Sequence, residues 1–163
     1  MLGPTGHTDT FTRDRLPAPQ DWPEIRLRGF DYPDWLNAGV ELTDAMVAKG
    51  FGDHTALIGN GRSRTYKELA DWTNRLAHAL VEDYGVKPGN RVLIRSANNP
   101  AMVACWLAAT KAGAVGGGTG SDRRQGRDCA GPVRYEAAGG TGGLRQGLQA
   151  PADGDRFRRH REP

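Results

Sequence analysis

Apolar positions fall into helical and strand-like rhythms as far as Val115, and after it neither rhythm continues. Leu69, Trp72, Leu76 and Leu80 recur at helical intervals, with Asp71, Arg75, His78 and Glu82 on the opposite side. This spacing predicts an amphipathic helix running to about Tyr84, with Gly85 as its stop. Its start is Thr65-Tyr66-Lys67-Glu68, a capping box in which Thr65 accepts from the Glu68 amide and Glu68 reaches back to Thr65. A second helix begins at Asn99-Pro100, a capping residue followed by proline at the first helical position, and continues to about Ala112. Met102, Val103, Trp106 and Leu107 are expected to face the core, and Gly113 to end the helix. An earlier helix is expected from Trp35 to Lys49, capped by Asp34, striped by Leu36, Val40 and Val47 and closed by Gly50.

Shorter periods mark strands. Thr55 to Ile58 and about Arg62 to Arg64 flank Asn60-Gly61, a strong hairpin signal because both turn positions need positive φ. After the turn Lys87-Pro88-Gly89, Arg91 to Arg95 reads as a strand with a buried Val-Leu-Ile centre, and Ala114-Val115 opens another. Strand, helix and nascent strand together form a right-handed parallel crossover, so the fold class is α/β. Only two residues of the closing strand are credible, which leaves the βαβ unit truncated. Residues 1–34, with prolines at 4, 17, 19, 23 and 33, read as an irregular leader that wraps a surface.

Composition sharpens the break at Val115. Before it, 13 Lys+Arg balance 13 Asp+Glu; after it come nine Arg, no Lys and six acids, so the net charge of +3 belongs to residues 116–163. That stretch holds 12 Gly and only five larger apolar or aromatic residues: Val133, Tyr135, Leu144, Leu148 and Phe157. Such a stretch has too little apolar surface to offset the entropy of ordering its backbone, and it reads as a disordered tail. Three regions follow: leader 1–34, α/β body 35–115 and tail 116–163.

Several function classes drop out. Met1 to Leu16 lacks the apolar run of a secretory signal. The longest apolar run, Ala101 to Thr110, is about half the length that crosses a bilayer, so no membrane is expected. Cys105 and Cys129 form neither a disulfide framework nor a metal-ligand pattern, which fits a cytoplasmic setting. Gly116 to Gly118 is not followed by the Gly-Lys-Ser/Thr of a phosphate loop. Gly140 to Gly147, GTGGLRQG, has Arg145 and Gln146 where such a loop would place proline and lysine, and reads as a chance match in a glycine-rich tract. His78 is a solvated residue within reach of Glu82. Trp72 and Trp106 read as core packing, Cys105 as a small buried hydrophobe, and Asp53 with His54 as loop residues. Arg156, Arg158, Arg159 and Arg161, with Phe157 and His160, offer phosphate contacts, but a short basic end is more simply solvated, and nucleic acid is not the favoured partner.

Thr55 to Val115 resembles the N-terminal portion of the adenylate-forming enzymes, which include acyl- and aryl-CoA synthetases, luciferases and peptide-synthetase adenylation domains. Thr65-Tyr66 with Glu68-Leu69 matches the early TY-x-EL block, and Ala108 to Val115, AATKAGAV, matches the start of the next. Residues 34–54 look closest to the aryl-CoA ligase branch, of the 2-aminobenzoate–CoA and benzoate–CoA ligase type. The resemblance covers roughly residues 20 to 115. It implies an incomplete N-terminal portion of the family's large domain, and a parent reaction in which ATP activates an aromatic carboxylate and coenzyme A then takes the acyl group. ATP, magnesium and coenzyme A are implied for the full-length family and none for this chain. The phosphate loop, the acids that hold magnesium and ribose, and the C-terminal lysine all lie beyond the resemblance, so no catalytic, cofactor-binding or metal-binding residue is assigned here.

The chain is therefore expected to be an inactive fragment, marginal in stability because its crossover lacks a closing strand. Two alternatives stand beside this: a non-catalytic module docking to a full-length relative, and a nucleic-acid binder acting through its basic end. A valine run written GTG GTG GTG reads as glycine codons in a shifted frame, so Gly116-Gly117-Gly118 is what the family's valine-rich strand becomes when misread. The nucleotide sequence checks this reading: an alternative frame downstream of Val115 should encode adenylating-enzyme motifs, and its failure to do so would end the idea.

Overall fold

A computed structural model describes residues 5–24, 29, 32–120, 133–139 and 142–150, with 118–120 and the last two stretches as backbone. In chain order the elements are α1 (Phe11–Asp14), a 3-10 turn (Pro19–Asp21), α2 (Ala38–Glu41), α3 (Asp44–Met46) and a π-turn (Val47–Phe51). There follow β1 (Thr55–Gly59), β2 (Arg62–Thr65), α4 (Tyr66–His78) with its π-type continuation Ala79–Asp83, β3 (Arg91–Ser96) and α5 (Pro100–Lys111). The chain then forms β4 (Val115–Gly120), β5 (Val133–Gly139) and β6 (Gly142–Ala150).

Antiparallel β1 and β2 make a two-stranded hairpin, with Gly59 opposite Arg62. Asn60 and Gly61 take φ of 53° and 71°, the left-handed pair the sequence requires at this turn. The hairpin leads directly into α4, whose capping box is complete: the Glu68 amide donates to Thr65 Oγ1 at 3.2 Å and the Thr65 amide donates to Glu68 Oε2 at 2.8 Å. The second sheet has the order β4-β3-β5-β6, with β4 parallel to β3 and β5 antiparallel to it.

One core joins these parts. Leu69, Trp72, Leu76 and Leu80 of the α4 segment pack with Val92 and Ile94 of β3 and with Ala101, Ala104, Cys105, Leu107 and Ala108 of α5. The expected stripe of the first helix is therefore the buried one, and Asp71, Arg75, His78 and Glu82 lie exposed. Arg64 adds a cation–π contact over the Trp72 ring, 4.5 Å from its centroid.

Four expectations are corrected. First, the helix read from Trp35 to Lys49 is broken into α2 and α3. Thr43 turns its hydroxyl onto the Gly39 carbonyl at 2.6 Å and leaves helical geometry with φ −130° and ψ −77°. The cap is Asn37 and not Asp34, because Asn37 Oδ1 accepts from the Val40 amide while its Nδ2 donates to the carbonyls of Thr110 and Lys111. Gly39 permits the close approach behind this anchor, since a Cβ there would stand 2.7 Å from the Leu107 carbonyl oxygen.

Second, Leu93 does not share the burial of Val92 and Ile94; it is 36% exposed, as alternation along a half-covered strand demands. Third, α5 buries its small residues, so Trp106 sits 43% exposed at the rim of the core and Met102 and Val103 are only half-buried. Alanine and cysteine let α5 approach the sheet and α4 closely, and the large side chains are turned to the flanks. A Cβ at Gly116 would lie 3.0 Å from Trp106 Cδ1, so the indole lies against a position where β4 has no side chain.

Fourth, the closing strand is longer than two residues. β4 runs through the glycines in register with β3, Val92 opposite Gly116 and Ile94 opposite Gly118. Where no elements were expected after Val115, the backbone also forms β5 and β6. Strand pairing satisfies backbone N–H and C=O groups whatever the side chains are, and β3 offers an edge on each side. Residues 140–141, which open the GTGGLRQG tract, and residues 151–163, which carry the Arg156 to Arg161 cluster, lie outside the described residues.

Candidate functional site

The polar groups gather around the two ends of α5 and the leader. At its N-terminus Asn99, buried, accepts from the Met102 amide at 2.9 Å and orders the Ser96–Asn99 turn at the carboxyl end of β3. At its C-terminus Lys111 is 5% exposed, with Nζ 2.5 Å from Asp44 Oδ2 and donating to Asn74 Oδ1 at 2.7 Å. Asn74 in turn donates to Asp44 Oδ1 at 3.1 Å, and the Thr43 hydroxyl, whose single proton is shared with the Gly39 carbonyl, lies 2.9 Å from Asp44 Oδ2. This cluster ties α3, α4 and α5 together.

Partial burial by itself raises the pKa of Asp44. Hydrogen bonds from Lys111, Asn74 and Thr43, with the charge of Lys111, outweigh that and hold the carboxyl below its ordinary value. Lys111 is thus committed to a carboxylate and an amide, and its ammonium is not offered to a phosphate.

A second cluster fastens the leader. The amides of Thr8 and Asp9 donate to the Pro88 carbonyl at 3.0 Å. The Asp9 carboxylate receives Asn90 Nδ2 at 3.0 Å and Arg91 at 3.2 Å, while Phe11 lies between the guanidinium groups of Arg15 and Arg91 at 4.1 and 4.3 Å from its ring centroid. Asp9 is held below the usual carboxylate range, first by the Phe11 amide, then against the opposing effect of burial by Asn90 and Arg91. The described part of the leader also forms two short helical turns of its own.

Between leader and α5 lies an open cavity of about 610 Å³, bordered by His7, Asp34, Trp35, Pro88, Lys111 and Ala114. The residues weighed from sequence do not converge on it. His78 Nδ1 stands 3.4 Å from Glu82 Oε1 on the solvated side of α4. His54 packs edge-on to Phe51 with centroids 5.3 Å apart, in the turn that leads to β1. Cys105 is fully buried, and burial pushes its thiol far above the ordinary range, so it is an inert core residue. Trp72 is 2% exposed and packs in the core; Trp106 does not.

Among the described residues no three His, Cys, Asp or Glu side chains are grouped to hold a metal. No described helix is long and apolar enough to cross a membrane. Among the described residues bordering the cavity, the Lys111 ammonium is neutralised by Asp44 and so is not a free cation for ATP or coenzyme A. The chemistry this arrangement supports is fastening, by two ion-pair clusters that join distant segments. Sequence reasoning missed both. Asp44, Asn74 and Lys111 are far apart along the chain, and no local motif announces a pair made by tertiary packing.

Residues 45–117 match the family of AMP-binding enzymes. The 3-hydroxybenzoate–CoA ligase of Aromatoleum sp. (strain CIB) is 40% identical over 80 residues, covering 49% of this chain and 15% of that ligase. The 3-hydroxybenzoate–CoA/4-hydroxybenzoate–CoA ligase of Thauera aromatica shows the same identity and coverage. The Klebsiella oxytoca NpsA N-terminal subdomain aligns over 55% of this chain and 23% of its own at 32% identity, with a TM-score of 0.45, too slight a likeness to carry an argument. The chain spans about 15% of the length of the curated relatives it matches.

The depressed pKa of Asp44 fixes a pH window. The stabilisation from a lowered folded-state pKa is fully present above the unfolded value, about 3.9, and is lost as pH falls through the folded value. Urea midpoints of the chain and of Asp44→Asn should therefore differ near pH 7 and converge as pH drops below about 4. A difference that stays constant to pH 2 would remove the charge on Asp44 from the account.

Proposed function

We propose that residues 45–117, the stretch that matches the AMP-binding enzymes, are the framework portion of an ATP-dependent aromatic carboxylate–CoA ligase. The parent reaction joins the carboxylate to AMP and then to coenzyme A; the described part of this chain builds the layer beneath that chemistry and does not perform it. The observation that carries the reading is the match of residues 45–117, which include the α4–α5–β3 core, beside 40% identity over 80 residues to two hydroxybenzoate–CoA ligases. The engaged Lys111 and inert Cys105 support a structural role for these residues. The two ligases are named for hydroxybenzoates, which favours an aromatic acid of the benzoate or 2-aminobenzoate type. A cytoplasmic setting follows from the same reading.

Two readouts test it together. Residues 45–115 grafted in place of the matching portion of the Aromatoleum ligase should leave ATP–pyrophosphate exchange with 3-hydroxybenzoate within about tenfold of the parent. The 163-residue chain alone should show no exchange with benzoate, 3-hydroxybenzoate or 2-aminobenzoate. A folded graft without activity contradicts the framework role, and acid-dependent exchange by the chain alone contradicts the assignment of chemistry elsewhere.

A further inference from the structure

Residues 5–24 lie on the surface and none of them is buried, so the apolar core does not hold them. Among the described residues, their backbone hydrogen bonds to the body go to one carbonyl, that of Pro88, which receives the amides of Thr8 and Asp9. The Thr8 hydroxyl donates to the same oxygen at 3.1 Å. Three donors thus share two lone pairs, and each bond is weakened accordingly. Beside them the Asp9 carboxylate receives Asn90 and Arg91, and Phe11 closes over the Arg91 guanidinium. The turn is shaped for this contact: Gly89 takes φ of 90°, and a Cβ there would stand 2.1 Å from the Asp9 carbonyl oxygen.

Internal bonds keep the segment in one piece. The Phe11 amide donates to Asp9 Oδ1 at 3.1 Å, the Thr10 hydroxyl donates to Asp14 Oδ2 at 2.8 Å, and Arg15 lies over the Phe11 ring. Its grip on the body is local and polar, and such a contact opens without unfolding the core beneath it. The residues just before the grip, Thr5, Gly6 and His7, form one wall of the cavity that Trp35, Pro88 and Lys111 also border. Gly6 lies against the indole there, since a Cβ at Gly6 would stand 3.6 Å from Trp35 Cζ3. We propose that residues 5–15 are a latch that opens and closes as one unit on the Pro88–Arg91 turn, with Asp9 as the catch, and that the closed latch walls the cavity at the carboxyl end of α5. Opening breaks no core contact and bares the Trp35 side of the cavity. The latch depends on these residues alone and stands whether or not the framework reading does.

Hydrogen exchange of the full chain, resolved to single amides, tests the latch. In the unmodified chain the amides of Thr8, Asp9 and Phe11 should exchange about tenfold or more slower than in an unstructured peptide, yet faster than those of α4 and α5. Asp9→Ala should erase most of that protection and Phe11→Ala part of it, with α4 and α5 as slow as before. Asp9→Ala should also raise the tryptophan emission that acrylamide quenches, and the increase should vanish when Trp35→Phe is added. Unprotected amides in the unmodified chain, protection that Asp9→Ala leaves intact, or an equal loss of protection in α4 and α5 overturns the latch. Quenching that does not change, or that changes equally without Trp35, overturns its place as a wall of the cavity.

Discussion

The contact on which the other elements depend is the apolar stripe of α4 set against the small-residue face of α5. Leu69, Trp72, Leu76 and Leu80 supply the volume, and Ala101, Ala104, Cys105 and Ala108 supply the closeness. Large-against-small interdigitation lets two helices and a strand fill one core without voids, and burial of side chains of this size contributes about 1.5–3 kcal/mol each. Everything outside this contact is fastened to it by a few polar groups. The leader holds on through Asp9 and Arg91, and α2 with α3 through Asn37 and the Asp44–Lys111 pair.

That arrangement agrees with the framework role proposed for these residues. Its charged side chains nearest a cavity are spent on one another, and its one described thiol is sealed in the core.

Local signals were legible in the sequence wherever the structure is decided locally. The Thr65–Glu68 box, the Asn60-Gly61 turn, the α4 stripe and the Asn99-Pro100 start each rest on groups within four residues of one another, and each forms as read. The rest depended on tertiary choice. α5 is apolar nearly all round, so periodicity could not say which side faces inward, and the alanine side won over Trp106. Leu93 follows from a sheet with one open face, which a run of three apolar residues cannot reveal. Thr43 breaks the expected long helix because its hydroxyl finds a carbonyl and a carboxylate that only the fold brings near. β4, β5 and β6 form from glycine-rich sequence because pairing with β3 or with each other needs backbone groups alone. Of the candidate site, the solvated position of His78 and the burial of Cys105 were readable from their helix positions, while the Asp44–Asn74–Lys111 cluster was not.

The dependence of the fold on the α4–α5 contact is measured most directly by urea unfolding of Trp72→Ala beside Trp106→Ala. Both remove an indole from the same layer, but only Trp72 lies inside the contact. Trp72→Ala is expected to cost about 3–5 kcal/mol, enough to unfold a marginal domain, and Trp106→Ala about 1 kcal/mol or less. Equal losses, or a larger loss at Trp106, would contradict the claim that the α4 stripe holds the structure together.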